Sequence, residues 1–138
     1  MFVISPILQA KEINKGKPVW QILVVDDDTT VSKTIKLLLE LDGHNVQMAN
    51  SGREALVLLE QGRFDLVTTD FSMSGMKGDT LAAAIKERLP NQLVLMISTN
   101  GAIAKASGNP LLGVDLVISK PFFLEDLRKA MAKVLPGI

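Results

Sequence analysis

The sequence predicts a doubly wound α/β domain, in which one five-stranded parallel sheet carries helices on both of its faces. Short apolar or β-branched runs alternate five times with amphipathic stretches of helical spacing. That alternation implies parallel strands joined by right-handed crossovers. A chain of 138 residues that is 47% hydrophobic is also the right size for one domain with an ordinary core.

The strand predictions rest on runs of apolar and β-branched residues. The first run extends almost uninterrupted from Trp20 to Val25, which is typical of a central strand buried on both faces. A shorter alternating stretch follows, and a β-branched run leads into Asp70. Another apolar run leads into Ser98, and a final short one precedes Lys120. The five strands are therefore predicted over residues 20–25, 45–49, 66–69, 93–97 and 116–118.

The helix predictions rest on apolar residues at helical spacing and on residues that begin or end helices. Asp28 or Thr29 supplies an N-cap for the first helix, and Gly43 lies just beyond its end. Gly62 closes the second helix and Pro90 stops the third. The fourth is short and rich in alanine. The five helices are predicted over residues 29–41, 51–61, 79–89, 101–107 and 125–135.

Composition excludes several classes of function. Fifteen basic and fifteen acidic residues cancel, so the net charge indicates neither nucleic acid nor an anionic membrane as a partner. The absence of cysteine excludes disulfides and thiolate-bound zinc, and the one histidine, His44, is expected on an exposed loop. With no membrane-spanning stretch and no signal peptide evident, we expect a cytoplasmic protein.

The chain is predicted to divide into an extension and a single domain. Residues 1–18 are punctuated by Pro6, Gly16 and Pro18, which is typical of an N-terminal extension or linker. The remaining residues, 19–138, form the predicted domain.

Polar side chains follow four of the predicted strands at the point where each strand ends: Asp26 with Asp27, Asp70, Ser98 and Lys120. A parallel sheet brings these ends to one edge, which is where open α/β sheets bind ligands. Three carboxylates at one edge repel each other, and a divalent cation with a lysine relieves that repulsion. Carboxylate oxygens favour Mg²⁺, with Mn²⁺ as a substitute, over zinc.

A carboxylate beside a divalent cation and a lysine can act as a nucleophile toward a phosphoryl group. A loop with two glycines follows Asp70, so this carboxylate is expected to face a flexible loop at the edge of the sheet where ligands bind. Gly75 and Gly78 are expected to adopt backbone angles that other residues resist.

This set of residues, in this order, resembles response-regulator receiver domains of two-component systems, with a fold like that of the chemotaxis regulators. The resemblance covers about residues 20–135 and implies a flavodoxin-like sheet of strand order 2-1-3-4-5. It implies that Asp70 accepts the phosphoryl group, assisted by the Ser98 hydroxyl and by Lys120. It also implies that Mg²⁺ is held by Asp26, Asp27, Asp70 and the backbone carbonyl of Ser72.

The resemblance also implies how such a protein works. A histidine kinase or a phosphotransfer protein would supply the phosphoryl group, and slow hydrolysis would remove it. The protein would then catalyse only its own phosphorylation and dephosphorylation. Since no effector domain follows residue 135, we expect a single-domain regulator whose output is relay of the phosphoryl group or contact with a protein partner that the sequence does not identify. The alternative is that the sequence is a fragment of a hybrid kinase or of a longer regulator.

Two alternatives remain open at this point. Ser74 stands where the family usually has proline, and Val117 where it usually has Tyr or Phe, so a pseudo-receiver that binds partners without phosphate is one alternative. The other is a phosphatase of the haloacid-dehalogenase type, because Asp26, Asp28 and Thr30 fit its D-x-D-x-T signature with Asp26 as nucleophile.

Overall fold

A computed structural model describes residues 18–99 and 113–135, which form one five-stranded parallel sheet with helices on both faces. The strands are β1 (Gln21–Val25), β2 (Asn45–Ala49), β3 (Leu66–Thr69), β4 (Leu93–Ser98) and β5 (Leu116–Ser119). The helices of the described ranges are α1 (Thr29–Leu41), α2 (Gly52–Gln61), α3 (Gly78–Arg88) and α4 (Leu124–Val134). None of these helices is long and apolar enough to cross a membrane.

The strands lie in the order β2-β1-β3-β4-β5, which confirms the predicted topology. Each predicted boundary in the described ranges is correct to within one residue. Ser98 and Ser119 extend their strands beyond the predicted ends because they pair with each other across β4 and β5. The predicted helix over residues 101–107 lies outside the described residues, as do residues 1–17 of the predicted extension.

The core consists of two apolar layers, one on each face of the sheet. Successive side chains of β1 alternate between the layers: Ile22 packs in one layer and Leu23 in the other, and both are fully buried. This burial on both faces explains why the β1 sequence is an apolar run rather than an alternating pattern.

Side chains cap the first two helices. Asp28 is the N-cap of α1, and its Oδ1 accepts hydrogen bonds from the backbone N–H groups of Thr30 and Val31 at 3.0 and 3.4 Å. Ser51, predicted as the first residue of the second helix, is instead its N-cap and accepts a bond from Glu54 at 3.1 Å. These caps satisfy backbone donors that the helices leave unpaired.

The prediction that His44 is exposed was wrong. Gly43 adopts a φ of 89°, and the chain folds back so that the N–H of His44 donates to the Leu39 carbonyl at 3.2 Å. The imidazole turns inward, is only 6% exposed, and accepts the Trp20 backbone N–H at Nδ1 over 3.1 Å. His44 therefore joins the end of α1 to the start of β1.

Burial of His44 predicts a pH-dependent stability. Burial lowers the pKa of His44 below its usual 6.5, although the Asp42 carboxylate acts in the opposite direction. As the pH falls through about 6.5, the unfolded chain binds a proton that the folded protein does not, so the free energy of unfolding decreases. That loss stops once the pH passes below the lowered pKa of the folded state.

The measurement is thermal unfolding of the wild type and His44→Asn between about pH 8 and about pH 5.5. Asparagine offers an acceptor to Trp20 but has no titrating group. We expect the Tm advantage of the wild type over the variant to shrink as the pH falls. A difference in Tm that stays constant across this range would contradict the lowered pKa.

Candidate functional site

The backbone of the sheet brings the predicted site residues to one edge. Asp26 follows β1, Asp70 follows β3, and Lys120 follows β5, while Ser98 is the last residue of β4. Backbone hydrogen bonds continue past the strand ends, from the N–H of Asp70 to the Val25 carbonyl at 3.1 Å and from that of Lys120 to the Ser98 carbonyl at 2.9 Å. These bonds fix where each side chain begins.

Three carboxylates meet at this edge. Asp26, Asp27 and Asp70 each present an oxygen, and these oxygens all lie within 4.8 Å of one another. Asp26 is 2% exposed and Asp70 is 9% exposed, whereas Asp27 is open to solvent. The predicted acidic cluster is therefore present, and its members differ sharply in their access to water.

Lys120 places a positive charge against two of the three carboxylates. Its Nζ lies 3.3 Å from Asp70 Oδ1 and 3.5 Å from Asp26 Oδ2. The side chain is mostly shielded from water, so these ion pairs are screened less than surface pairs are. One ammonium cannot neutralise three carboxylates, and the cluster keeps a net negative charge.

Asp26 carries the electrostatic cost of the cluster. Its burial raises the pKa of its carboxyl, and the nearby charge of Asp70 raises it further. The backbone N–H of Asp28, which donates to Asp26 Oδ1 at 2.9 Å, and the charge of Lys120 act in the opposite direction. Since the pKa remains raised, the ionised carboxylate lowers the stability of the folded protein at neutral pH.

Ser98 contributes a buried hydroxyl. The residue is fully buried, and within residues 18–99 and 113–135 its Oγ has no hydrogen-bond partner. An unpaired buried hydroxyl costs about 1–3 kcal/mol, so such groups in native proteins call for an explanation. Its place at a strand end beside the cluster is what we expect of a hydroxyl that a ligand satisfies.

The loop over residues 71–77 lies against the cluster. The Ser74 N–H donates to Asp27 Oδ2 at 2.8 Å. Gly75 has a φ of 73°, which confirms the predicted need for glycine. The reason predicted for Gly78 was wrong, because this residue begins α3 without a positive φ. A Cβ at Gly78 would overlap the Asp70 carbonyl oxygen, so space rather than backbone conformation requires glycine there.

The donor set fits a hard divalent cation. Three carboxylates converge, and the chain has no cysteine to offer thiolate ligands. Oxygen ligands of this kind favour Mg²⁺ or Mn²⁺ over zinc. The position of the Ser72 carbonyl as a further ligand remains a prediction.

Fold and site together define a class of protein: a doubly wound α/β domain with an acidic pocket at the carboxyl edge of its sheet. Residues 22–132 match the family described as response regulator receiver domain, and the chain belongs to this family. Receiver domains are signalling modules of two-component systems, and phosphorylation on an aspartate is their general function. The haloacid-dehalogenase alternative is therefore not retained.

Relatives from several bacteria cover most of the chain. Chemotaxis protein CheY-3 of Vibrio cholerae is 37% identical over 117 residues, which are 83% of this chain and 90% of that protein. Chemotaxis protein CheY of Pseudomonas aeruginosa is 35% identical over 121 residues, covering 86% of this chain and 98% of the relative.

Solved structures confirm the similarity of fold. CheY4 of Vibrio cholerae superposes with a TM-score of 0.78 at 28% identity, over 86% of this chain and all of that one. The response regulator TrrA of Thermotoga maritima, solved in complex with Mg²⁺-BeF, has a TM-score of 0.75 at 27% identity, over 83% of this chain and 98% of its own.

The burial of the Asp26 charge and its repulsion by Asp70 predict that Asp26→Asn raises the Tm when no divalent cation is present. Asparagine keeps an oxygen for the Asp28 N–H and removes the buried charge. We expect a rise of a few degrees, the shift that about 1 kcal/mol produces in a domain of this size. Mg²⁺ should raise the Tm of the variant less than that of the wild type.

The matched control is Asp65→Asn. Asp65 precedes β3 at the opposite edge of the sheet, and asparagine retains an acceptor for the Gln21 N–H that Asp65 binds at 2.7 Å. This control should leave the Mg²⁺ response intact. A Tm of Asp26→Asn at or below that of the wild type would show that the charge of Asp26 does not destabilise the cation-free fold.

Proposed function

We propose that this receiver domain accepts a phosphoryl group on Asp70 in a Mg²⁺-dependent reaction. The observation that carries the proposal is the environment of the Asp70 carboxylate. This carboxylate lies in the acidic cluster, 3.3 Å from the Lys120 ammonium, and accepts no backbone hydrogen bond within the described ranges. By contrast, Asp26 Oδ1 accepts the Asp28 N–H and Asp27 Oδ2 accepts the Ser74 N–H. Backbone N–H groups thus hold one oxygen each of Asp26 and Asp27, and neither oxygen of Asp70, which leaves Asp70 the least committed of the three carboxylates.

The other carboxylates suit a role in binding the cation. Asp26, Asp27 and Asp70, with the Ser72 carbonyl, would hold Mg²⁺, and Mn²⁺ could take its place. The cation supplies positive charge that offsets the charge of the phosphoryl oxygens. The buried edge of the sheet excludes water from one side of the cluster, which strengthens this compensation.

Phosphorylation would proceed by attack of an Asp70 carboxylate oxygen on phosphorus. With a phosphohistidine donor, a P–O bond to Asp70 forms and the P–N bond to the donor imidazole breaks. Lys120 neutralises charge on a phosphoryl oxygen, and the Ser98 hydroxyl gains the hydrogen-bond acceptor that it lacks. Water later attacks phosphorus, the P–O bond to Asp70 breaks, and inorganic phosphate leaves while Asp70 returns to a carboxylate.

This chemistry implies two kinds of protein partner. A histidine kinase or a phosphotransfer protein would supply the phosphoryl group. A downstream protein would bind the surface of the last strand and helix, over residues 116–119 and 124–134. Charge added at Asp70 would shift the residues at the neighbouring strand ends, and that shift would change this surface. Val117, half-buried on that strand, replaces the usual aromatic residue, and the response of this surface is expected to differ accordingly.

The decisive experiment is intact-mass spectrometry after incubation with acetyl phosphate and Mg²⁺. We expect one phosphoryl adduct on the wild type and none on Asp70→Asn. An adduct that survives Asp70→Asn but is lost in Asp26→Asn would identify Asp26 as the nucleophile and overturn the proposal. If the wild type remains unmodified by both acetyl phosphate and purified phosphodonor kinases, the pseudo-receiver alternative is supported.

Lys120→Ala separates charge neutralisation from cation binding. Because Lys120 opposes the negative charge of the cluster, its loss should leave Mg²⁺ affinity equal to or tighter than that of the wild type. The rate of adduct formation should fall at least about tenfold, since a fixed cation near the phosphoryl oxygens is lost. Lys129→Ala, which removes an exposed lysine of α4, is the control for net charge. Wild-type rates in Lys120→Ala would contradict the role.

A further inference from the structure

A glycine on the second helix lies against the loop that follows Asp70. Gly52 is buried as the first residue of α2 and contacts the side chain of Met76. A Cβ placed on Gly52 would lie 2.7 Å from Met76 Sδ and 3.1 Å from both Met76 Cβ and Cγ. The present position of Met76 therefore requires that residue 52 has no side chain.

Backbone conformation does not explain this glycine. The glycines with a positive φ in the described ranges are Gly43, Gly75 and Gly113, so Gly52 adopts angles open to any residue. The N-cap of the helix is already supplied by Ser51. The presence of Gly52 is thus explained by the space that it leaves for Met76.

Met76 belongs to a loop segment with two apolar anchors. Met73 is 1% exposed in the core layer beneath the loop, and Met76 packs against the same layer. Between these anchors, the Ser74 N–H donates to Asp27 Oδ2 at 2.8 Å. The Ser74 donor thus lies on a short span of loop held at both ends, at one end by Met73 and at the other by Met76 against Gly52.

Asp27 is the carboxylate of the cluster whose conformation is least restricted by burial. Asp26 and Asp70 are buried, but Asp27 is open to water. A mobile carboxylate must lose conformational freedom when it binds a cation, whereas a carboxylate that is already held loses less. The hydrogen bond from Ser74 is therefore in a position to improve cation affinity.

We propose that Gly52 and Met76 form a positioning contact that holds the Ser74–Asp27 hydrogen bond and thereby tunes the affinity of the acidic cluster for divalent cations. The consequence for cation affinity rests on the proposed function of the cluster, whereas the effect on the hydrogen bond does not. Neither residue touches the reacting atoms; both act through Ser74 and Asp27.

The test is Gly52→Ala, compared with Gly62→Ala as the matched control. Gly62 is the C-cap of the same helix with a φ of −150°, and a Cβ there would meet only the Leu58 carbonyl oxygen at an ordinary 3.9 Å. In metal-free protein, we expect faster hydrogen exchange of the Ser74 amide in Gly52→Ala by NMR. By calorimetry, Mg²⁺ should bind several-fold more weakly. Gly62→Ala should match the wild type in both measurements.

A second variant tests whether the two residues act through one contact. Met76→Ala removes Sδ and Cγ, so it should also speed Ser74 exchange and weaken Mg²⁺ binding. The Gly52→Ala/Met76→Ala double variant should be no worse than Met76→Ala alone, because the overlap is already relieved. If Gly52→Ala does not fold, Ser74 exchange and Mg²⁺ affinity in Met76→Ala test the proposed contact.

The outcomes separate positioning from simple stabilisation. Variants that lower the Tm while Ser74 exchange and Mg²⁺ affinity stay at wild-type values would overturn the proposal, and so would additive effects in the double variant. If the wild type gains no phosphoryl group, the proposed function fails, but Ser74 exchange still tests the contact independently.

Discussion

The concentration of three carboxylates against one lysine, at a single edge of the sheet, is the constraint on which the rest of the site depends. The burial of Asp26 carries a desolvation cost that raises its pKa, and repulsion from the nearby Asp70 carboxylate adds to that cost of folding. The two apolar layers of the core must outweigh that cost in the absence of a cation. A cation that binds only the folded cluster would both relieve the repulsion and stabilise the domain.

Parallel topology makes this concentration possible. The strand order β2-β1-β3-β4-β5 places β1 and β3 side by side, and Asp26 and Asp70 follow these neighbouring strands. Lys120 approaches from β5 at the edge of the sheet, and its long side chain reaches Asp70 after β3 and Asp26 after β1. An antiparallel arrangement of the same strands would send alternate ends to opposite edges of the sheet, and the residues would not meet.

The sequence predicted the fold and the cluster because both depend on periodic and local signals: apolar runs, helix caps and the polar residues at strand ends. Prediction failed where the burial of a residue, or the space around it, depends on a residue elsewhere in the chain. His44 was expected to be exposed, but its backbone and its imidazole are both held by partners. The space requirements of Gly78, against the Asp70 carbonyl, and of Gly52, against Met76, depend on packing that no periodicity reveals.

The differing exposure of Asp26 and Asp27 divides two properties of the site between them. Asp26 is buried and fixed by the Asp28 N–H and Lys120, so its charge mainly determines how much the cation-free cluster destabilises the domain. Asp27 is exposed and accepts the Ser74 N–H, so under the proposed function the loop would mainly set the affinity of the site for a cation. Changes in the loop would then alter cation affinity while the buried electrostatics stay the same. On this proposal, the adjustable part of the site is the loop segment that Met73 and Met76, rather than charged residues, hold against the core.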